Sequence, residues 1–183
     1  MKHMLVFIGF GEAAYNISLG LKEAGLDDIA AYDAFANDPV HGALIRQRAD
    51  ETHVPLIGLE EACSEGAFIA SMNSAKVALS VAEKIIPQLR SGQVFVDLNS
   101  AAPTVEEKID RIPRGDGVLF CDAGVMGTVP GNRHKVPMYL AGDGAETFRA
   151  AFSPYGMKLT VLDAPAGGAS AIKMLKSVVM KGL

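Results

Sequence analysis

Gly9-Phe10-Gly11-Glu12-Ala13-Ala14, a G-x-G-x-x-A sequence, lies between a predicted strand and a predicted helix. The apolar run from Leu5 to Gly9 has the length of a buried strand. From Glu12 to Ala24 apolar residues recur at helical spacing, and Gly25 is a typical helix stop. A strand, a glycine turn and a helix in this order are typical of a chain that binds a dinucleotide at the turn.

Each position of this turn has a physical role in dinucleotide binding. Gly9 permits the tight turn, Gly11 lets the backbone approach a pyrophosphate, and the small Ala14 lets helix and strand pack closely. Free N–H groups at the helix N-terminus attract the anion. The predicted cofactor-binding residues here are Gly9, Phe10, Gly11, Glu12, Ala13 and Ala14. The alternative is a glycine turn in an α/β protein that binds no nucleotide.

An acidic residue follows the next predicted strand, Ile29–Tyr32. Asp33 lies 22 positions after Gly11. A carboxylate at this place hydrogen-bonds a ribose 2′-hydroxyl and repels a 2′-phosphate. The sequence therefore predicts NAD as the cofactor, with NADP as the alternative.

Short apolar runs alternate with helix-period stretches almost from end to end. The predicted strands are Leu5–Gly9, Ile29–Tyr32, Pro55–Ile57, Ala67–Ser71, Gln93–Leu98, Val118–Cys121, Met138–Ala141 and Leu159–Leu162. The predicted helices are Glu12–Ala24, Val40–Arg48, Ala75–Leu89, Thr104–Ile112, Ala145–Phe152 and the stretch from Ala169 onward. This alternation predicts a Rossmann-type, doubly wound α/β fold, with a mostly parallel sheet and helices on both faces.

Composition limits the class of protein. The chain has 183 residues, a formal net charge of −4 and 49% apolar residues, which excludes a disordered chain and argues against a nucleic-acid binder. No apolar run is long enough to span a membrane. Cys63 and Cys121 show no metal-ligand spacing, so no metal site is predicted and a reducing cytoplasm is expected.

The C-terminal stretch carries an apolar stripe that nothing later in the chain covers. Its members recur at helical spacing: Ala171, Ile172, Leu175, Val178 and Val179. We expect a dinucleotide-binding domain over residues 1–165. Residues 166–183 are expected to start an interdomain helix that leads to an absent C-terminal helical domain, or that a partner chain buries.

Three later segments occur in the order found in a known family. Asp97-Leu98-Asn99-Ser100-Ala101-Ala102-Pro103 looks like its D-x-S-T-x-x-P substrate motif, and Asp122-Ala123-Gly124-Val125-Met126-Gly127 looks like its D-A-P-V-S-G segment. Gly168-Ala169-Ser170-Ala171-Ile172-Lys173 looks like the stretch that carries the catalytic lysine. With the glycine turn, they make the chain resemble the N-terminal cofactor domain of the β-hydroxyacid dehydrogenases, the superfamily of 3-hydroxyisobutyrate and 6-phosphogluconate dehydrogenases.

The chain departs from the family pattern at several positions. Asn99 replaces Ser, Ser100 replaces Thr, Gly124 replaces Pro, Met126 replaces Ser, and Ser177 stands where Asn is common. Lys176, beside Ser177, is a further departure. The resemblance is strongest to a divergent branch labelled phosphogluconate-dehydrogenase-like.

The resemblance implies that Lys173 is a general acid–base and that Ser177, one turn further along the same helix, is the second catalytic residue. A lysine acts as a base near neutral pH only when burial or a nearby positive charge lowers its pKa. Lys176 shares a helical face with Lys173, so its charge is expected to lower that pKa. Lys176 alternatively binds a substrate carboxylate or phosphate. The alternative is that both are solvated lysines of an exposed helix, without a role in catalysis or binding.

Other predicted site residues follow strands, at the carboxyl edge where α/β proteins bind ligands. Asn99 and Ser100 are expected to contact cofactor and substrate respectively, or else simply to cap a helix. Met126, Gly127 and Thr128 are expected to line the substrate site. Met72 and Asn73 are expected to line the cofactor, with a strand-to-helix cap as the alternative.

Together these features predict an NAD(P)-dependent oxidoreductase. It transfers a hydride between a nicotinamide cofactor and a small β-hydroxy acid or the matching carbonyl compound, and the resemblance implies a homodimer formed through the missing helices. One alternative is an imine or ketone reductase of the same fold, although imine reductases commonly differ at the lysine. Another is a non-catalytic, dinucleotide-binding redox sensor.

Overall fold

Strands and helices alternate along residues 2–182, the part of the chain that the computed structural model describes. The strands of this part are β1 (His3–Ile8), β2 (Ile29–Tyr32), β3 (Gly66–Ser71), β4 (Val94–Asp97), β5 (Leu119–Val125), β6 (Met138–Ala141) and β7 (Leu159–Val161). Its helices are α1 (Glu12–Glu23), α2 (Gly42–Thr52), α3 (Leu59–Glu65), α4 (Ala78–Ile85), α5 (Pro103–Asp110), the single turn α6 (Val129–Asn132), α7 (Ala145–Phe152) and α8 (Gly168–Gly182). Three-residue 3₁₀ turns follow α4, α6 and α7 at Ile86–Gln88, Arg133–Lys135 and Ser153–Tyr155.

All seven strands form one sheet in the order β2-β1-β3-β4-β5-β6-β7. The chain builds outward from β1 to β2, then crosses back to β3 on the other side of β1. This reversal is the topological switch point of a doubly wound fold, and it opens the crevice where ligands bind at the carboxyl ends of the strands. The predicted Rossmann-type α/β fold is confirmed.

The pairing of β5 with β6 is antiparallel, whereas every other neighbouring pair in the sheet is parallel. Residues 126–137 connect the two strands, and the Met126 N–H donates to the Pro137 carbonyl at 2.8 Å. A parallel connection needs a crossover of a dozen or more residues, usually a helix. This segment holds only one helical turn and one 3₁₀ turn, so the chain reverses direction instead.

Helices cover both faces of the sheet, as predicted. Strand β1 sends Leu5 and Phe7 into one apolar core, and Val6 and Ile8 into the other. The first core includes side chains of α1, α2 and α7, and the second includes side chains of α3, α4 and α5. Near-complete burial on both faces explains why the strands have continuous rather than alternating apolar sequences.

The structure corrects the prediction for residues 55–65. Pro55–Ile57 is not a strand, because only an isolated parallel bridge between Leu56 and Ala31 is present. The following residues form helix α3, which the sequence analysis missed. With only seven residues, α3 is too short to give a clear periodic pattern. Its burial of Ala62 and Cys63 against the sheet supplies the stability that the local sequence lacks.

Several further boundaries differ from those predicted; helix α2, for example, ends at Thr52 rather than at Arg48. The helix expected over Ala75–Leu89 begins only at Ala78 and gives way to the 3₁₀ turn that contains Pro87, whose ring and missing N–H disfavour a continued α-helix. Strand β5 continues to Val125, four residues beyond the predicted end at Cys121. The extension includes Asp122, which is buried, and a charged residue normally marks a strand end in a sequence.

Helix α8 leaves much of its apolar surface exposed. Its exposed large apolar residues are Met174, Leu175, Val178, Val179 and Met180. Ala171 and Ile172, nearer its start, are half-buried. The domain boundary expected near residue 165 stays a prediction. No helix among residues 2–182 combines the length and apolarity that a membrane span requires.

Gly20 allows α1 to lie close to the 3₁₀ turn Arg133–Lys135, because a Cβ at Gly20 would overlap the buried His134 ring. We expect Gly20→Ala to lower the free energy of unfolding by about 1 to 2 kcal/mol, since overpacking outweighs the gain in helix propensity. Urea denaturation measures the free energy of unfolding of the variant and of the unchanged chain. Gly115→Ala is the control, because its Cβ would meet its nearest atom at 3.8 Å. Equal stability of the two variants would contradict the packing argument.

Candidate cofactor and proton-transfer site

The glycine turn between β1 and α1 has the two properties expected of it. Gly9 has φ +93°, and a Cβ there would lie 2.5 Å from both Asn73 Oδ1 and the Met72 carbonyl oxygen. A side chain at Gly9 is therefore excluded by both backbone conformation and space. A Cβ at Gly11 would meet no atom within 4 Å, so this position opens onto free space.

The N-terminus of α1 is available to an anion. Gly11 is its N-cap residue, so no side chain caps the helix. Phe10 and Ala14 are fully buried and hold the turn against the sheet, while Glu12 is exposed and Ala13 half-buried. The free N–H groups of the first turn and the open space at Gly11 fit a pyrophosphate.

Asp33 is half-buried at the end of β2 and organises the loops around it. Its carboxylate accepts the backbone N–H of Phe10 at 2.7 Å and that of Phe35 at 2.8 Å. It also lines an open cavity of about 400 Å³. A smaller cavity of about 120 Å³, lined by Gly9 and Asn73 among others, lies nearby. The predicted cofactor residues Gly9, Asp33 and Asn73 thus line two cavities at the switch point, and Tyr32 lines both.

Side-chain amides tie the carboxyl ends of three strands together. The amide nitrogen of Asn99 donates to Asp97 Oδ2 and Ser71 Oγ, both at 2.8 Å, and its oxygen accepts the Asn73 N–H. Asn73 in turn donates to the Ile8 carbonyl at 2.9 Å. The structure therefore gives Asn99 a positioning role, since both hydrogens of its amide are used within the protein. Its direct contact with a cofactor stays a prediction.

Lys173 and Ser100 meet although they are 73 residues apart in sequence. The Nζ of Lys173 donates a hydrogen bond to the hydroxyl of Ser100, which follows β4 with φ +59°. This left-handed backbone is uncommon for a residue other than glycine and often marks a functional position. Burial lowers the pKa of Lys173, and the Asp122 carboxylate opposes that shift. The hydrogen bond between Lys173 and Ser100 and the lowered pKa of Lys173 both suit a pair of residues that transfers a proton.

Lys176 does not act as the sequence analysis predicted. Burial, not the charge of Lys176, is the cause of the lowered pKa of Lys173. The Nζ of Lys176 instead donates to the Met126 carbonyl at 3.0 Å. This bond links α8 to the segment that follows β5. A substrate contact by Lys176 remains a prediction.

The remaining predicted site residues have separate surroundings. Met126 is buried, whereas Gly127 and Thr128 are exposed at the start of α6. Met72 is half-buried, and its backbone rather than its side chain approaches the glycine turn. Ser177 is exposed on α8, one helical turn beyond Lys173. The structure therefore pairs Lys173 with Ser100 and Lys176 with Met126, and it places Ser177 on the exposed part of α8.

A group of three buried acids below the Lys173–Ser100 pair was missed by sequence reasoning. Asp97 and Asp122 are register partners in β4 and β5, and Glu106 lies on α5 with 1% of its surface exposed. Burial raises the pKa of Asp97 to about 6 and that of Glu106 to about 9, with a contribution from the neighbouring charges. Burial also raises the pKa of Asp122. The two aspartates lie in the quoted motifs, whereas no sequence signal marks Glu106.

Asp122 anchors the helix that carries the lysine. Its carboxylate accepts the Ser170 hydroxyl at 2.7 Å, the Ser170 N–H at 3.1 Å and the Gly167 N–H at 3.0 Å. A carboxylate at a helix N-terminus satisfies free N–H groups and favours the helix dipole. Gly124 lets α8 lie on β5, because a Cβ there would come within 2.8 Å of the Ala169 carbonyl oxygen. These contacts set the position of Lys173 three residues later.

A family profile described as the NAD binding domain of 6-phosphogluconate dehydrogenase matches residues 4–162. This span contains the glycine turn, Asp33 and the amide network at the strand ends. It ends before α8, so Lys173 lies outside the matched residues. The predicted cofactor, NAD or NADP, agrees with this match.

Three solved structures are similar to this chain. A conserved hypothetical protein from Sinorhizobium meliloti 1021 is 32% identical with a TM-score of 0.89, over 100% of this chain and 61% of that one. The conserved protein MTH1747, described as similar in structure to 3-hydroxyacid dehydrogenases, is 27% identical with a TM-score of 0.83. The match covers 98% of this chain and 65% of that one. Mycobacterium tuberculosis 3-hydroxyisobutyrate dehydrogenase, solved with L-serine, is 22% identical with a TM-score of 0.78. The match covers 98% of this chain and 60% of that one. The chain thus spans less than two thirds of each of these proteins.

The buried Glu106 predicts a pH dependence of stability. A glutamate in the unfolded chain has a pKa of about 4.5, whereas burial keeps native Glu106 protonated up to about pH 9. Between these values the unfolded state binds fewer protons, so stability falls as the pH rises. We expect Glu106→Gln to reduce the loss of unfolding free energy between pH 5.5 and 8.5 by on the order of 2 kcal/mol.

Chemical denaturation at several pH values measures this loss. Glu107→Gln, on the exposed side of the same helix, is the matched control and is expected to keep the pH dependence of the unchanged chain. Parallel stability curves for Glu106→Gln and the unchanged chain would show that Glu106 is ionised in the native state.

Proposed function

This chain belongs to the family of NAD-binding domains found in 6-phosphogluconate dehydrogenase, and from that premise we propose that it transfers a hydride between NAD(P) and a small β-hydroxy acid or the matching carbonyl compound. The pairing of Lys173 with Ser100 at the carboxyl edge of the sheet carries this proposal. A hydroxyl and an amine in contact beside the switch point suit an alcohol or carbonyl group more than any other small substrate.

Lys173 is proposed as the general acid–base. In oxidation its neutral Nζ takes the substrate hydroxyl proton, and in reduction the charged Nζ returns that proton to the forming alkoxide. Burial supports this role because it favours the neutral amine. Ser100 Oγ holds the amine and orients the substrate oxygen toward it. The nicotinamide, when bound, supplies the site that accepts or donates the hydride.

The residues around the glycine turn fit the dinucleotide. The free N–H groups at the start of α1 would hold the pyrophosphate, with Gly11 allowing close approach. Asp33 would accept a ribose hydroxyl, and Asn73 would line the path toward the nicotinamide. Asn99 holds these groups in register through its hydrogen bonds to Asp97 and Ser71.

The remaining assignments concern the substrate and the assembly. Met126 would form an apolar wall, Gly127 and Thr128 would offer an N–H and a hydroxyl, and Lys176 and Ser177 would face the substrate from α8. The exposed apolar surface of α8 supports further helices that complete the cleft and form a homodimer. A cytoplasmic location agrees with the two buried free cysteines.

Gly11 provides a test of cofactor binding that leaves the fold intact. Gly11→Val places its side chain in open space, so we expect unfolding free energy to change by no more than about 1 kcal/mol, the cost of a poorer N-cap. The same side chain blocks the pyrophosphate, and NADH affinity is expected to fall about tenfold or more. Titration of NADH fluorescence measures the affinity. NADH binding equal to that of the unchanged chain would contradict the proposed pyrophosphate site.

Lys173→Ala tests the chemistry. We expect oxidation of β-hydroxy acids to fall about 100-fold or more, because the proton acceptor is lost, while NADH affinity stays within about twofold. Turnover is measured for the 183-residue chain and for the longest natural form of the protein. Lys108→Ala, an exposed lysine on α5, is the control that removes the same charge.

The outcomes separate the proposal from its alternatives. Loss of turnover in Lys173→Ala alone supports the acid–base role. So does a pH–rate profile for oxidation in which the rate rises with pH through an apparent pKa below the usual lysine value, because the base must be neutral. Turnover that Lys173→Ala does not change contradicts the acid–base role. Tight NADH binding with no turnover, even by the longest natural form of the protein, contradicts the proposed activity and favours a redox sensor. Faster reduction of cyclic imines than oxidation of β-hydroxy acids contradicts the proposed substrate and favours an imine reductase.

A further inference from the structure

His134 is a buried histidine in the 3₁₀ turn that lies between α6 and β6. Only 6% of its surface is exposed, and its ring packs against α1 at Gly20, where a Cβ would overlap it. On its other side Nε2 lies near Gly156, because a Cβ there would be 3.6 Å away. The imidazole is thus enclosed between α1 and the turn that follows α7.

The two ring nitrogens of His134 are buried, and neither has a hydrogen-bond partner of normal geometry among residues 2–182. A neutral imidazole has one N–H donor and one acceptor, and leaving them unpaired in the interior costs free energy. A charged imidazolium has two donors and a net charge, so its burial costs more. The enclosed site therefore tolerates the neutral ring and disfavours the charged one.

Burial lowers the pKa of His134 and is the largest influence on it. The backbone of Tyr155, in the turn after α7, and the carboxylate of Glu23, on α1, oppose this shift. Lys135 and Arg133, its neighbours in the same turn, lower the pKa further. An exposed histidine takes up a proton near pH 6.5, whereas the buried ring does not. Acidification therefore favours a conformation in which the ring is exposed.

A cavity of about 480 Å³ adjoins the ring and gives it a second place outside the core. Asn16 and Glu23 of α1 line one side of this cavity, and residues 131–135 line the other. Glu23 forms an ion pair with Arg133 at its wall. An imidazolium in this cavity is reached by water and lies beside a carboxylate, so both of its N–H donors find acceptors.

The segment that contains His134 leads back to residues proposed to line the substrate site. Residues 126–128 begin the connection between β5 and β6, and His134 lies near its end. The side chain of Asn132 donates to the Thr128 carbonyl at 2.9 Å, which ties the two parts together. Lys176 of α8 holds the start of the connection through the Met126 carbonyl. A displacement of His134 is therefore transmitted toward residues 126–128.

We propose that His134 is a latch for residues 126–135 that a proton opens. The uncharged ring stays between α1 and Gly156 and fixes the segment, whereas the charged ring turns into the cavity toward Glu23 and releases it. The inference rests on the proposed function only in that residues 126–128 line the substrate site. Mild acid thereby weakens substrate binding. NADH binding is unaffected, because the glycine turn and the amide network lie outside the released segment.

Proton NMR titration of the unchanged chain tests the latch without requiring turnover. We expect the C2 proton of His134 to titrate with a midpoint below 6.5, and the amide signals of residues 126–128 to shift with the same midpoint. Hydrogen exchange at the Val136 N–H, which donates to the Arg133 carbonyl at 3.3 Å, measures the opening. After correction for the intrinsic exchange rate, the open population is expected to rise up to about tenfold between pH 7.5 and pH 5.5.

His134→Phe and His134→Gln cannot take up a proton, so the signals of residues 126–128 are expected to stay constant over the same pH range. The smaller glutamine serves if the phenylalanine variant does not fold. Glu23→Gln removes the carboxylate that receives the charged ring, and it is expected to lower the midpoint of His134. His41→Gln and Glu107→Gln, which change exposed residues, are the matched controls and are expected to leave that midpoint unchanged.

The outcomes separate the latch from the proposed function. A His134 midpoint at or above 6.5, or signals of residues 126–128 that do not follow it, overturns the latch and leaves the proposed function standing. A titrating latch in a protein that turns over no β-hydroxy acid overturns the proposed function alone. Where turnover is present, KM is expected to rise more between pH 7.5 and pH 5.5 for the unchanged chain than for His134→Gln, by up to about tenfold. An equal rise overturns the link between latch and substrate site.

Discussion

The hydrogen bonds of Asn99 hold the carboxyl ends of β3 and β4 together, and through Asn73 they reach β1. The strand ends that border the glycine turn depend on this arrangement. Gly9 must approach Asn73 closely, so a shift of one strand end would displace the glycine turn. Because a buried amide left without partners costs free energy, the fully used hydrogen bonds of Asn99 favour one register of these strands.

A second set of contacts joins β5 to α8. Asp122 accepts three hydrogen bonds from the start of the helix, and Lys173 follows on its next turn. The same carboxylate acts on the lysine electrostatically, since it raises a pKa that burial lowers. Asp122 thus helps to set the position of the amine and also acts on its protonation, against the larger effect of burial. This arrangement places several acids close together in a medium of low dielectric constant, which is energetically unfavourable. Glu106 reduces the repulsion among them because it keeps its proton at neutral pH.

The cavity lined by Asp33 shows how residues distant in sequence can change the electrostatic environment that a local sequence pattern predicts. Asp33 alone indicates a ribose hydroxyl, and its spacing from the glycine turn is correct for that role. In the folded chain α2 places Arg46 on the same cavity. The electrostatic character of the site is therefore set by the loop after β2 together with helix α2, which no spacing rule along the chain describes.

The sequence by itself determined the doubly wound fold and the glycine turn, because strand length, helical period and turn chemistry are local properties. The candidate lysine followed from the resemblance of the later motifs to a known family. The sequence did not reveal helix α3, whose seven residues are stabilised by burial of Ala62 and Cys63. Only the tertiary structure decided that Lys173 meets Ser100, that burial rather than Lys176 lowers its pKa, and that Glu106 lies beside two aspartates. These depend on contacts between residues far apart in sequence, where burial and dielectric environment are set by packing rather than by neighbours along the chain.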